Sequence, residues 1–408
     1  KINLLGIIDT QNILNSDFKI SGSNITSKNI IKFIDNLYSG PDLKALPEGI
    51  LKNFNIDYNE GMLKESSFSY QSNLGTNISV KGLIKSDNIF DSNLNIELTS
   101  TSSEEILELI NNFNFLDKFP KIKFDQLKIN SAINKGLFKI DTLNVIDGES
   151  NATISGEIDI YNKDKRNLEI KLTKFNQFDI LFLPQLEEIL TSLDTNYIDL
   201  DCFLTDTNLE IVNLEIPVSG NSNLYITGDV NLKNFKETFL NIKFNDIKPF
   251  HIKTILDQTN QLRYLNYIEL INFEEIQGSI FLDLKENSTL INRIEFIQED
   301  NVIGNISGEI SSSQFKGSVN FEKININQLD KKFFKTNRIK GFINVDLVAP
   351  NFISPDSYLD IGGTINGDIE VVISDDELGL LMFMQSLSQD IEDFSQVNVL
   401  LGKLSRSF

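Results

Sequence analysis

Ile154-Ser155-Gly156-Glu157-Ile158 decides how the rest of the chain is read, because its pattern returns three more times. It recurs as Ile226-Thr227-Gly228-Asp229-Val230, Ile306-Ser307-Gly308-Glu309-Ile310 and Ile365-Asn366-Gly367-Asp368-Ile369. The glycine-to-glycine steps are 72 residues (156 to 228), 80 (228 to 308) and 59 (308 to 367). Recurrence at a loose period predicts one supersecondary unit used repeatedly. The pattern itself is strand-like. Side chains alternate faces along a strand, so the two aliphatic residues and the glycine share one face, and the hydroxyl or amide and the acid share the other. Gly156, Gly228, Gly308 and Gly367 notch the apolar face, which permits sheet curvature or close approach of another element. A position between two large apolar neighbours favours curvature.

The surroundings repeat as well. In the third full unit, strands are predicted at Gly278–Leu284, Ile291–Phe296, Val302–Ile310 and Phe315–Ile324, with a short helix at Asn327–Phe334. The unit before it runs Ile198–Leu204, Leu209–Val218, Leu224–Leu232 and Leu240–Phe244, then a helix at Phe250–Leu262. The first full unit runs Ile122–Ile129, Leu137–Val145, Ala152–Ile160 and Leu168–Leu172, then a helix at Leu183–Leu193 with Pro184 in its first turn. Asn77–Gly82 is a degenerate motif followed by a helix whose capping box is Ser102 to Glu105. Phe18-Lys19-Ile20-Ser21-Gly22 reads as the motif of a truncated first repeat, leading to a helix at Ser27–Leu37. A second capping box, Ser374 to Glu377, opens a terminal helix. The predicted fold is mainly β: an elongated, repeat-built antiparallel sheet curled into an open apolar groove, with short helices between repeats. About twenty strands at ~4.8 Å spacing would extend on the order of 100 Å. The expected organisation is a degenerate repeat and linker over 1–70, groove units over 71–340, and closing strands with a helix over 341–408. Ile154, Ile158, Ile226, Val230, Ile306, Ile310, Ile365 and Ile369 are the candidate groove-lining residues.

Composition narrows the function. Among 408 residues, 37 are Lys or Arg and 58 are Asp or Glu, a net charge of −21. Nucleic-acid affinity needs clustered cations, so no nucleic-acid partner is expected. One histidine, His251, and one cysteine, Cys202, cannot form a zinc site or a disulfide. His251 reads as a surface or capping residue, and Cys202, in the alternation Ile198, Leu200, Cys202, Leu204, as a buried apolar one. With no nucleophile elbow, phosphate-cradling glycine loop or paired acid and base, neither an enzyme nor a cofactor is expected. No stretch is long and apolar enough for a membrane helix. The abrupt start at Lys1-Ile2-Asn3-Leu4 suggests an internal or processed piece of something longer.

The run Gly136–Val145, a turn, and Ala152–Ile160 resembles the hairpin of the AsmA-like family of bacterial envelope proteins, which includes TamB- and YhdP-type members. Repetition of that hairpin, and the closing Gly363–Ile369 followed by Val371–Leu380, are also similar to the family. The terminal turn departs from it, with Asp375-Asp376-Glu377 where the family has glycine. The resemblance spans most of residues 70–395. It implies a taco-shaped β-groove in the periplasm, anchored to the inner membrane by a helix outside this sequence. It also implies phospholipid or another envelope lipid as cargo, carried between inner and outer membranes in support of outer-membrane biogenesis. Membranes and outer-membrane assembly proteins would be its partners. The competing expectation is a structural or adhesive β-repeat protein with a closed core and no lipid.

Overall fold

The computed structural model describes residues 2–9, 11, 15–29, 47–59, 62–85, 89–112, 123–162, 165–176, 195–218, 221–258, 271–312, 314–326, 339–353 and 361–371. The helices expected at Leu183–Leu193, at Asn327–Phe334 and after Ser374 lie outside them, as does most of Ser27–Leu37. Over the described residues the protein is mainly β, with 72% strand against 9% helix. It divides into two compact units, Lys1–Pro217 with Tyr225–Thr238, and Val218–Leu224 with Phe239–Phe408.

The first unit is an antiparallel meander. It begins with β1 (Ile2–Ile7) and β2 (Asp17–Thr26), then β3 (Gly49–Asn59), β4 (Met62–Ser72), β5 (Asn77–Lys85) and β6 (Asn93–Ser100). After the helix Ser103–Asn112 come β7 (Gln126–Asn134), β8 (Leu137–Asp147), β9 (Ser150–Asp159) and β10 (Arg166–Phe175). The series continues with β11 (Ile198–Thr205), β12 (Asn208–Pro217) and β13 (Asn223–Asn231). In the second unit, β14 (Phe239–Ile247) is followed by the helix Pro249–Gln258. There follow β15 (Glu275–Asp283), β16 (Ser288–Gln298), β17 (Asn301–Ser311), β18 (Gln314–Asn325), β19 (Ile339–Ile353) and β20 (Gly362–Val371). The closing strands β6, β10, β14 and β18, and the described helices Ser103–Asn112 and Pro249–Gln258, fall within a few residues of their expected places.

Three devices recur every four strands, and the sequence motif marks only one of them. The motif glycines of β9, β13 and β17 adopt φ of 129°, 140° and 150°, and Gly6 of β1 and Gly82 of β5 share this conformation at 133° and 147°. Gly6 is therefore the motif glycine of the first repeat, while Gly22 sits on β2, a fourth strand. The strand before carries one extra residue opposite the glycine. Ile140 faces Gly156 while Leu143 faces Ile154, and Ile291 faces Gly308 while Ile294 faces Ile306. Likewise Ser66 faces Gly82 while Leu63 faces Ile84. Such bulges bend a strand and increase its twist. Finally, the fourth strands end in a left-handed residue within a second bulge: Lys174 (φ 46°), Asp246 (56°) and Lys323 (54°). The freed amides of Lys174 and Lys323 donate to Asp199 Oδ1 at 2.8 Å and Asn344 Oδ1 at 2.9 Å on the next strand.

The glycines are required first by their backbone surroundings. A Cβ on Gly156 would lie 2.0 Å from the Asn167 carbonyl oxygen, and one on Gly308 would lie 2.3 Å from that of Lys316. Close approach of the following strand is thus the direct constraint, and the facing bulge supplies the bend. Gly367 differs. It lies on β20, a second strand of its repeat, and lacks the positive φ of the other three, although its Cβ would meet the Phe342 carbonyl at 2.1 Å. The fourth motif copy therefore occupies a different place in the repeat from the first three.

Candidate functional site

Register sorts the side chains into two faces within each unit. In the first, Phe138 faces Ile158, Leu168 faces Gly156, and Ile170 faces both Ile154 and Cys202. Phe54 faces Phe68, which faces Val80, which faces Ile96. The second unit repeats the arrangement: Gly278 faces Ile294, Ile294 faces Ile306, Ile306 faces Val319, and Val319 faces Leu347. One side of each meander is thus an apolar ladder that crosses strand after strand.

The opposite side is wet. Glu157 pairs with Lys139 and Asn167, and Ser155 faces Glu169. Lys171 binds the Glu169 carboxylate at 2.6 Å, which holds Glu169 below the usual carboxylate range and raises the ammonium of Lys171. Asp229 accepts from Asn208 Nδ2 at 2.9 Å, and Ser307 shares a 2.9 Å hydrogen bond with Ser318. The exposed ion pair of Lys171 with Glu169 contributes little to stability.

Among the described residues, the helices Ser103–Asn112 and Pro249–Gln258 each pack on part of the apolar face. Ile106 of Ser103–Asn112 packs with Phe124 and Leu127, beside Leu98, Ile129 and Val145. In the second unit Phe296 contacts Phe273 and Phe321, with ring centroids 5.2 and 4.8 Å apart, and Ile252 of Pro249–Gln258 packs against them. Away from these clusters the aliphatic residues stay accessible. Ile154, Ile158, Ile226 and Val230 are half-buried, and Ile310 is 39% and Ile365 61% exposed; Ile306, also half-buried, packs against the cluster of Phe273, Phe296 and Phe321. The side chain of Ile369 lies outside the described residues.

What the protein buries completely is mostly polar: His251, Thr76, Thr238, Ser16, Ser92, Ser100 and Ser222, with Cys202 the exception. These groups lock strand ends. Ser16, Ser92 and Thr238 each accept a backbone N–H from seven residues earlier, from Asp9, Lys85 and Asn231. The expected capping box forms in half: Ser102 Oγ accepts the Glu105 N–H at 3.3 Å. The Glu105 carboxylate instead accepts from Ser72 at 2.5 Å and Thr76 at 2.6 Å, and the Ser102 N–H goes to Ser100 Oγ at 3.0 Å. Burial, reinforced by this carboxylate, raises the Tyr70 phenol to about 12, and its hydroxyl donates to the Pro47 carbonyl.

His251 caps as expected but is buried, not on the surface. Its Nδ1 accepts the Lys248 N–H at 3.2 Å, and burial, then the nearby Lys248 charge, lowers its pKa. Cys202 is buried on the apolar ladder, and burial raises its thiol to about 11. Among the described residues no helix is long and apolar enough to cross a membrane, and no group of acids, His and Cys is placed to hold a metal. Comparison with protein-family models, with curated proteins and with solved structures returned no match.

Proposed function

We propose that this protein carries lipid: acyl chains lie on the apolar face, head groups stay in water, and lipid moves along the strand-to-strand direction. The observation that carries this reading is the accessibility of the motif strands: Ile154, Ile158, Ile226, Val230 and Ile310 remain partly accessible, although the ladder residues Leu168, Leu172 and Ile291 beside them are buried. A packed sandwich would bury the ladder first, because each methylene withdrawn from water is worth about 0.8 kcal/mol. The same figure gives roughly 10 kcal/mol for a fully covered acyl chain, without any specific contact. Near-equivalent repeats keep that energy nearly level from one position to the next, which favours sliding. Bulges paired with glycines are devices by which a sheet can be curved, which supports a groove. Resemblance to the AsmA-like family supports a periplasmic setting, an inner-membrane anchor, and transport between the two membranes.

Mass spectrometry of the protein purified without detergent tests this reading. Phospholipid at stoichiometric or higher amounts is expected. A lipid-free preparation that binds no added phospholipid would instead favour the structural or adhesive alternative.

A further inference from the structure

The two described helices carry one device with different chemistry. Both are ten residues long and follow the fourth strand of a repeat, Ser103–Asn112 after β6 and Pro249–Gln258 after β14. In each, the third residue is a buried ionisable group, Glu105 at 3% and His251 at 1% exposed. The fourth is an isoleucine on the apolar face. Ile106 packs with Phe124 and Leu127, and Ile252 with Phe273, Phe296 and Phe321. The buried group thus latches the start of the helix next to the residue that covers the cluster.

The two latches differ in the charge they can carry. Glu105 reaches across to the β4–β5 turn, where Ser72 and Thr76 donate to its carboxylate. His251 closes on its own helix start: Nδ1 accepts the Lys248 N–H at 3.2 Å, and the ring lies 3.8 Å from that of Phe250. An imidazole accepts that N–H only while Nδ1 carries no proton. Protonation removes the acceptor, turns two N–H groups toward each other and puts a positive charge at the positive end of the helix dipole. The charged groups at this corner are Lys248, Asp246 of β14, Glu274 and Glu275 at the start of β15, and Asp300 of the β16–β17 turn. The three other carboxylates and Lys248 act on Glu275, while the charge acting on His251 is that of Lys248.

We propose that Pro249–Gln258 is a proton-released lid, which holds Ile252 on the Phe273, Phe296 and Phe321 cluster while His251 is neutral and lifts from it when His251 takes a proton. Closed, the three rings are only 7%, 9% and 5% exposed. They adjoin Ile294, Ile306 and Val319 of the ladder, so opening lengthens the accessible apolar surface toward the helix end of the strands. Burial, then the Lys248 charge, lowers the proton affinity of His251 in the folded protein. The closed state is therefore full above about pH 6.5, the ordinary value, and weakens as pH falls below it. The lid does not rest on the lipid reading, since helix and cluster alone define it.

The chain contains no tryptophan, so Phe273→Trp places a single fluorescent reporter beneath the lid. In the full chain, acrylamide quenching of that reporter should rise at least about twofold between about pH 7 and about pH 5. In the unsubstituted chain, protection factors over Pro249–Gln258 should fall at least about tenfold across the same interval, while those of β14 and β15 stay level. His251→Asn supplies an amide oxygen that accepts the Lys248 N–H at either pH, and it should abolish both changes. A reporter equally shielded at both pH values in folded protein overturns the proposal. So does a helix whose protection does not change in the unsubstituted chain, which decides the matter even where Phe273→Trp fails to fold. Changes that persist in His251→Asn overturn it in favour of a carboxylate such as Glu275. Equal loss of protection in β14 and β15 overturns it in favour of general acid unfolding.

Discussion

Gly156 shows how one residue sets how closely two strands approach. Its φ of 129° is open to glycine, and a Cβ would sit 2.0 Å from the Asn167 carbonyl. Gly156→Val is expected to lower stability by at least ~1–3 kcal/mol from backbone strain alone, with β9–β10 overlap adding to it. Denaturant unfolding measures this, and an unchanged midpoint would remove the glycine from the architecture. The strand periodicity and the motif were legible from Ile154 to Ile158, but the reason for the glycine was not. Sequence shows the missing side chain; only the register shows which carbonyl occupies the space. Cys202 was legible outright, because Leu200 and Leu204 flank it at strand spacing. With its thiol raised to about 11, it should resist iodoacetamide at pH 8 in the folded protein and react after unfolding. Rapid labelling of the folded state, read by mass spectrometry, would contradict its burial.

At the scale of the element, strands and helices were readable and their joints were not. The alternation of Ile291, Ile294 and Phe296 locates β16, yet gives no sign of the extra residue between Ile291 and Ile294. Bulges leave little trace in composition, since any polar residue can occupy them. Glu105 misled for a related reason. Its spacing from Ser102 satisfies a local cap, but Ser72 and Thr76 arrive from another strand and take the carboxylate. His251 was placed at the helix start correctly, while its burial depends on packing that Pro249–Gln258 makes in three dimensions. Its lowered pKa fixes a sign. The unfolded chain, near the ordinary 6.5, binds a proton before the folded one does, so stability is full above that pH and falls as pH drops through the folded value. The protection factor of the Pro249–Gln258 amides, which divides out the intrinsic slowing of exchange at low pH, should therefore fall as pH drops below about 6.5, and His251→Asn should flatten that dependence. A helix equally protected across this window would show that His251 does not hold it.

At the scale of the whole molecule, the proposed lipid carriage would rest on the apolar ladder rather than on any single site. An acid on that face must lose hydration against acyl chains, at a cost of several kcal/mol unless it takes up a proton. Ile226→Asp or Ile306→Asp should therefore remove lipid carriage, while Thr227→Asp on the wet face should not. Each variant must first melt as the parent does. Neighbouring positions on opposite faces give the most direct measurement. A photoreactive benzoylphenylalanine placed at Ile310, which is 39% exposed, and separately at Glu309, should crosslink phospholipid at residue 310 and not at 309. Equal lipid crosslinking at both positions, or none at residue 310 in a folded protein, would contradict an acyl chain lying on the apolar face.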